Sequence, residues 1–520
     1  MEKTIQNKTK FTEADIHTWT IPRNAFLLPN SSKKKYLQLR PSISETLHDQ
    51  IWQGQPSKKI ISASLQILSD SLPDLISFNS SIVDQAPWER VSDIELTDGT
   101  EEAECELYTL INEYFCSIII PPIFGSQFAE SYQLLATDLA TINKSFWLLA
   151  LGLPRWIPIP GLPAASFARK RMLHELTEYF RGISNPSPVH KAQEENGDSD
   201  SEAEETDAEA STPLTALNVL LAQHNFPIQA RAPIALELLH SIVSEVVPLA
   251  FWTLLNLYSS SPHPSTIDFN TKDYDPDEAS PLERMVRENR KFAVASQPPS
   301  VHPSFPSPPQ IVFSQRVPLF NPFVRSCIEE SRRIYGSSIG TVRLTESVTI
   351  SEPDSIIASR GTEAQNWILD TNSYLDLGLS QTLINTSTAN FLDAAKYKHG
   401  RFLFSSSRLI KTSASHSLID NLLIGFLAGV VQLWDFAPAP RKSFFEKMQG
   451  MAAEASANQG DGDYVERRRE EERKKGEEAK WWVPRTRDGF GVMLPRDEVR
   501  VRIRRRENLP RTGIEVTGAK

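Results

Sequence analysis

The 520-residue chain has three cysteines, Cys105, Cys116 and Cys327, and none beyond position 327. Three unpatterned cysteines exclude a disulfide framework and a CxxC metal or redox pair, and they fit a reducing compartment. Glycine is scarce at 22 residues, and no P-loop, GxGxxG or HExxH pattern occurs. The usual nucleotide and zinc-protease signatures are therefore missing. No uninterrupted apolar run reaches the roughly 20 residues of a spanning helix. The longest candidate, Leu422–Trp434, reads as a buried core helix. The N-terminal stretch MEKTIQNKTKFTEADIHTW has no apolar signal-peptide core. These absences predict a cytoplasmic protein without a transmembrane anchor. A net charge of −10 offers no clustered positive charge for phosphates, so nucleic acid is not an expected partner.

What is abundant is proline, 36 residues, gathered in connectors. Residues 1–60 are polar and form a divergent N-terminal segment. From residue 61, apolar residues recur at helical spacing: Ile61, Leu65, Leu68 and Leu72, then Leu107, Leu110 and Ile111. The run SFWLLALGLPRWIPIPGLP (145–163) holds four prolines, which rule out a continuous helix. It reads as a buried connector, or as an apolar lip for substrate entry or peripheral membrane contact. A helix is predicted over Ala164–Ile183. Residues 191–212 carry nine acids and nothing to bury, as a disordered surface loop does. Pro233 opens a long apolar helix to about Tyr258, with Pro248 expected to kink it.

A Pro-rich connector, 259–318, holds one short helix near Leu282–Val294 and leads to a helix over Asn321–Tyr335. Strand-like alternation follows at Thr341–Ile350 and Asp354–Arg360. Residues 441–480 read as a charged insertion with an exposed helix, supported by Glu470–Lys474 and Glu471–Lys475 pairs. In the C-terminal region, 481–520, Val499–Arg506 alternates apolar and basic residues like a strand with one wet face. Asp98, Glu101 and Glu102 look like a solvated acidic turn, and Trp481–Trp482 like a packing contact.

Glu330 and Arg333, three apart on NPFVRSCIEESRRIYGSS, share a helix face and can pair. Together with FWLLALGLPRWIPIPGLPAASFARKRMLHEL, VPLAFWTLLNLYSSSP, TVRLTESVTI and VVQLWDFAPA, in that order, this helix resembles the cytochrome P450 family. The likeness is to a fungal branch similar to prostacyclin synthase and sterol 12α-hydroxylases. It covers about residues 60–440 and the terminal strand. It implies one large domain over 61–440, mainly α with a small β region, in which Glu330 and Arg333 are the structural pair behind the heme. Arg343 matches a heme-propionate position.

The departures from that family carry most weight. Where it has a Phe-Gly-Gly-x-x-x-x-Cys-x-Gly loop, this chain reads FLFSSSRLIKTSASHSLID. One register puts Lys411 at the axial position and the other Ser413; neither supplies the sulfur that drives O–O cleavage. His416 is the one nearby alternative ligand. Glu245 and Val246 stand at the oxygen-activating pair, and valine has no hydroxyl. The Pro-Glu-Arg-Phe-like meander is not found in INTSTANFLDAAKYKHGRF.

No cofactor is therefore expected, with heme as the alternative, and a redox partner only where heme is bound. The expected function is a pseudoenzyme or cyclase of specialised metabolism. It would bind a lipid, terpenoid or polyketide intermediate, with Glu245 as the acid of a non-redox cyclisation or isomerisation. The alternatives are an active monooxygenase hydroxylating or epoxidising such an intermediate, with the endoplasmic reticulum membrane surface as the alternative location, and a non-catalytic interaction protein or decaying pseudoenzyme. Whether the chain is an enzyme stays open.

Overall fold

The structure is a computed structural model. It describes residues 11–97, 101–184, 212–269, 274–299, 307–314, 321–337, 340–351, 365–377, 385–388, 391–403, 416–440, 479–507 and 509–510. The acidic stretch 191–211, the strand expected at Asp354–Arg360, the loop 404–415 and most of the insertion, 441–478, lie outside those residues.

The chain is mainly helical. Its principal helices are α1 (Ile21–Ala25), α2 (Lys33–Leu47), α3 (Gly54–Ser71), α4 (Leu107–Ile119), α5 (Leu135–Lys144) and α6 (Phe146–Ala150). They continue with α7 (Leu162–Ser184), α8 (Pro213–Gln223), α9 (Ile228–Ser259), α10 (Pro281–Asn289), α11 (Pro322–Tyr335) and α12 (His416–Leu433). The polar first sixty residues thus hold helices that composition hid. In α2, Tyr36, Leu39 and Ile43 recur at steps of three and four and are buried.

The axis of the fold is α9, buried on nearly every side and packed against α4, α5, α7, α11 and α12. Its apolar residues leave no wet face, as in a helix through the centre of a large protein. The helix begins at Ile228, so Pro233 and Pro248 both sit inside it rather than Pro233 opening it. Each removes one backbone donor, and the burial on all sides offsets that cost. Helix α12 comes equally close to its neighbours. A Cβ on Gly425 would meet Leu65 of α3, and one on Gly429 would lie 2.7 Å from Leu72. Glycine at these two positions leaves room for the side-chain ends of Leu65 and Leu72 to pack directly against α12.

Two windows, Leu107–Phe124 and Ile228–Ser259, are long and apolar enough to span a membrane by composition alone. They are 72% and 83% buried inside the molecule. That burial is compatible with a soluble protein.

The β structure is small: β1 (Phe11–Glu13), β2 (Glu95–Leu96), β3 (Glu102–Glu106), β4 (Ala293–Ser296), β5 (Gln310–Phe313), β6 (Gly340–Leu344), β7 (Val348–Ser351), β8 (Asn366–Leu369), β9 (Tyr374–Leu377), β10 (Trp434–Pro438), β11 (Thr486–Arg487), β12 (Leu494–Pro495) and β13 (Arg500–Arg505). One sheet has the order β1-β6-β9 and another β10-β13-β3-β2. In the second, Val501 and Ile503 point into the core. The arginines of β13 meet the acids of β3 and its approach. Arg500 lies 3.0 Å from Asp93 and from Glu95, and Arg502 3.0 Å from Glu104. Glu102 is 3.7 Å from Arg502. Of the acidic turn read as solvated, Glu102 meets the basic strand, whose main partners are Asp93, Glu95 and Glu104. Trp481 and Trp482 are half-buried against the core.

Candidate functional site

Helix α11 holds two charge clusters on different faces. On one, Arg333 donates to Glu330 through Nε at 2.7 Å and Nη2 at 2.8 Å, and both side chains are wholly buried. Arg333 also donates to the carbonyls of Asn385 (2.5 Å) and Ala394 (2.8 Å), and it stacks over Phe391. Arg401 adds a second guanidinium, its Nε 3.0 and 2.9 Å from the Glu330 oxygens. A buried ion pair holds only when its remaining donors and acceptors are met, and here one carboxylate serves two arginines and the Lys398 N–H. The segment read as lacking its meander motif therefore supplies the third member. The only sequence signal for it was Arg-Phe at 401–402.

On the other face, Arg332 reaches three carboxylates from three helices: Asp420 of α12 at 2.6 Å, Glu245 of α9 at 3.4 Å and Glu329 at 3.5 Å. These acids hold the Arg332 proton more tightly than usual although burial opposes it. Glu245 is thus a charge partner of Arg332 in a knot that joins α9, α11 and α12. The neighbouring Val246 is fully buried. Arg343, on β6, donates to Asn372 Oδ1 at 2.9 Å. Lys411 and Ser413 lie outside the described residues. His416 is the first residue of α12, and its side chain is outside them too.

A third cluster gave no sequence signal. His240 of α9 is 1% exposed, and neither ring nitrogen has a hydrogen-bond partner. Phe146 stacks on it at 5.0 Å, Phe490 lies at 5.3 Å and Phe26 meets it edge-on at 5.7 Å. Burial alone pushes its pKa down to about 3, so the imidazole is neutral at physiological pH. One turn earlier on α9, burial pushes the Glu237 carboxyl up to about 7, with Arg40 opposing and Glu13 adding to the effect. Glu237 shares a hydrogen bond with Tyr36. A carboxyl with raised proton affinity is the kind that can serve as an acid, and it is Glu237 on this helix that has one.

The three cysteines sit on β3, α4 and α11, all buried, and burial drives each thiol pKa up, so they remain protonated. The sequence GSSIG at 336–340 matches a nucleophile-elbow pattern. It leaves a helix and enters a strand, the reverse of the strand-turn-helix that such an elbow needs.

No protein-family model matches the chain, and no curated protein matches it in sequence. A search of solved structures finds the crystal structure of a cytochrome P450 (CYP102L1), with a TM-score of 0.54 over 97% of this chain and 90% of that one. The fold is that of a cytochrome P450. At 12% identity the likeness carries the architecture and leaves the chemistry to the residues.

This match corrects one expectation. The chain was expected to need no cofactor, but heme is the norm of the family whose fold it has. The described residues fit the scaffold of that family better than its iron ligand. The trio of Glu330, Arg333 and Arg401 is complete. Yet no cysteine stands between residues 328 and 520, and the three thiols present are buried on other elements. The donor set thus lacks the sulfur of a heme-thiolate centre.

Proposed function

We propose that this protein uses a P450 scaffold to handle a small apolar intermediate of specialised metabolism, a lipid, terpenoid or polyketide, without heme-thiolate oxygen insertion. The observation that carries the reading is the absence of any cysteine across 404–417, the segment that in the resembling family supplies the thiolate. Without that electron-rich sulfur, O–O cleavage loses its driving ligand. A nitrogen or oxygen from Lys411, Ser413 or His416 would give heme a different electronic character. What remains for the protein is shape and proton placement, which suffice for cyclisation or isomerisation when a pocket holds the reacting conformer. Glu237 is the better-placed acid, since Glu245 is engaged by Arg332.

Exposed Leu151 and Trp156, 71% and 80% accessible in the apolar run 145–163, support a peripheral contact with a membrane surface. A cytoplasmic location belongs to the same proposal, and the burial of the two apolar helices is compatible with it.

The test is expression with heme precursor and a reduced carbon-monoxide difference spectrum. A heme-thiolate band overturns the reading; a spectrum of nitrogen- or oxygen-ligated heme supports it. The complete Glu330–Arg333–Arg401 trio favours a second reading, an active monooxygenase hydroxylating or epoxidising such an intermediate. A transcript restoring a cysteine within 404–417 is what that reading requires.

A further inference from the structure

We propose that the Arg332 knot is an autoinhibitory latch across the porphyrin space. Closed, it ties α9 to α12 and shuts out a flat macrocycle; opened, it admits one. This goes beyond the function proposed above and does not depend on which atom would ligate iron.

The first argument is position. In the family resemblance, the axial segment 404–417 runs into the start of α12, and Glu245 and Val246 of α9 stand at the oxygen-activating pair. The two elements that would face a heme from opposite sides are therefore α9 at Glu245 and the first turns of α12. Arg332 touches both. It lies 3.4 Å from Glu245 and 2.6 Å from Asp420. One guanidinium bridges two groups that a macrocycle would hold apart.

The second argument is space. Two cavities stand out among the described residues, of about 230 and 210 Å³. Both fall below the roughly 300 Å³ at which ligand pockets begin. Neither is lined by Arg332, Glu245 or Asp420, so the closed knot leaves no cavity against itself there.

The third argument is which parts are free to move. Beyond Glu245, α9 is fastened to α11. The Thr253 and Ser331 hydroxyls lie 2.8 Å apart, Asn256 donates to the Tyr335 hydroxyl at 3.1 Å, and Trp252 stacks on Tyr335 at 4.0 Å. Beyond Asp420, α12 is fastened too. Phe426 stacks on Phe115 at 4.4 Å, and Gln432 donates to the Val286 carbonyl at 2.7 Å. Arg332 differs from these contacts, because none of its guanidinium nitrogens is aligned for a hydrogen bond. Charge alone holds it, and a buried point held that way costs more than an apolar one of the same size. Releasing Glu245 or Asp420 lets the side chain swing and frees the first turns of α12, while the far halves of both helices stay anchored.

The experiment titrates the full-length protein, expressed without heme precursor, with protoporphyrin IX. That molecule has the macrocycle and no iron. Binding is read by porphyrin fluorescence, and melting temperature is recorded alongside. Glu245→Gln and Asp420→Asn each remove one side of the latch. Glu104→Gln breaks ion pairs to Arg500 and Arg502, away from the knot, and controls for general loosening. Each latch variant is expected to bind about tenfold or more tighter than the wild type, since more molecules are open. Glu104→Gln is expected to bind as the wild type does. Equal affinity of the wild type and both latch variants, an equal gain in Glu104→Gln, or no porphyrin bound by any of the four proteins overturns the latch. The carbon-monoxide spectrum reports the ligand of an iron that this probe lacks, so failure here and failure of the thiolate-free reading are told apart.

Discussion

Arg332 Nη2 lies 2.6 Å from Asp420 Oδ1, joining α11 to the first turns of α12 through a buried ion pair. Glu245 and Glu329 complete the knot. Removing the cation strands several carboxylates at once, whereas removing one carboxylate leaves Arg332 with others. Arg332→Met is expected to lose about 3–5 kcal/mol, and Asp420→Asn less than half of that. Urea denaturation at pH 7 measures both, and equal losses would show that the three acids do not share Arg332 as described.

Glu330 is the single anion between Arg333 and Arg401. Glu330→Gln leaves two guanidiniums facing one amide. The expected result is a loss on the order of 3–5 kcal/mol or insoluble protein. Arg401→Lys keeps one charge but loses the two-point contact, and is expected to remain soluble with a lower melting temperature. A Glu330→Gln protein as stable as wild type would refute the role given to this trio.

Two sets of buried groups should make stability depend on pH, with opposite signs. The Glu237 carboxyl is raised from 4.5 to about 7 in the folded state. Its contribution is therefore whole below pH 4.5 and lost as pH rises through 7, by roughly 3 kcal/mol. The two buried histidines run the other way. His240 and His399 are lowered to about 3 and 4, so stability drains as pH falls below 6.5 toward those values. Glu237→Gln should flatten the neutral limb of the profile and His240→Phe part of the acid limb. Thermal melts from pH 4 to 8 report both, and superimposable profiles for Glu237→Gln and wild type would discard the first claim.

The pairing of β3 with β13 predicts charge reversal with rescue. Arg502→Glu faces Glu104 and Glu102 with a like charge, which is destabilising across strands. Adding Glu104→Arg should restore about 1 kcal/mol or more in a double-mutant cycle. A coupling energy near zero would mean that these side chains are merely adjacent.

Much of the fold was legible because its strongest signals are local. The apolar helix α9, the pattern of α11 and the alternation in β13 all show in short windows. What was not legible depends on residues far apart in sequence meeting in space. Arg401 reads as one charge in YKHGRF until Glu330 is set beside it. Glu102 and Arg502 look solvated separately because nothing local joins a strand near residue 104 to one near residue 502. His240 was the hardest, since a lone histidine on an apolar helix usually finds a backbone partner, and only the three-dimensional count of its neighbours shows that it has none.

Strand β13, inside the β10-β13-β3-β2 sheet, comes from beyond residues 441–478, and Trp434 and Arg505 stand opposite one another across it. The two pieces of chain are therefore stitched by ladder bonds and ion pairs rather than by the covalent link between them. A proteolytic nick anywhere in 441–478 should leave both fragments travelling together on a sizing column. An early stop codon in that stretch is a graver matter, because it removes an interior strand and exposes the raw edges of two others.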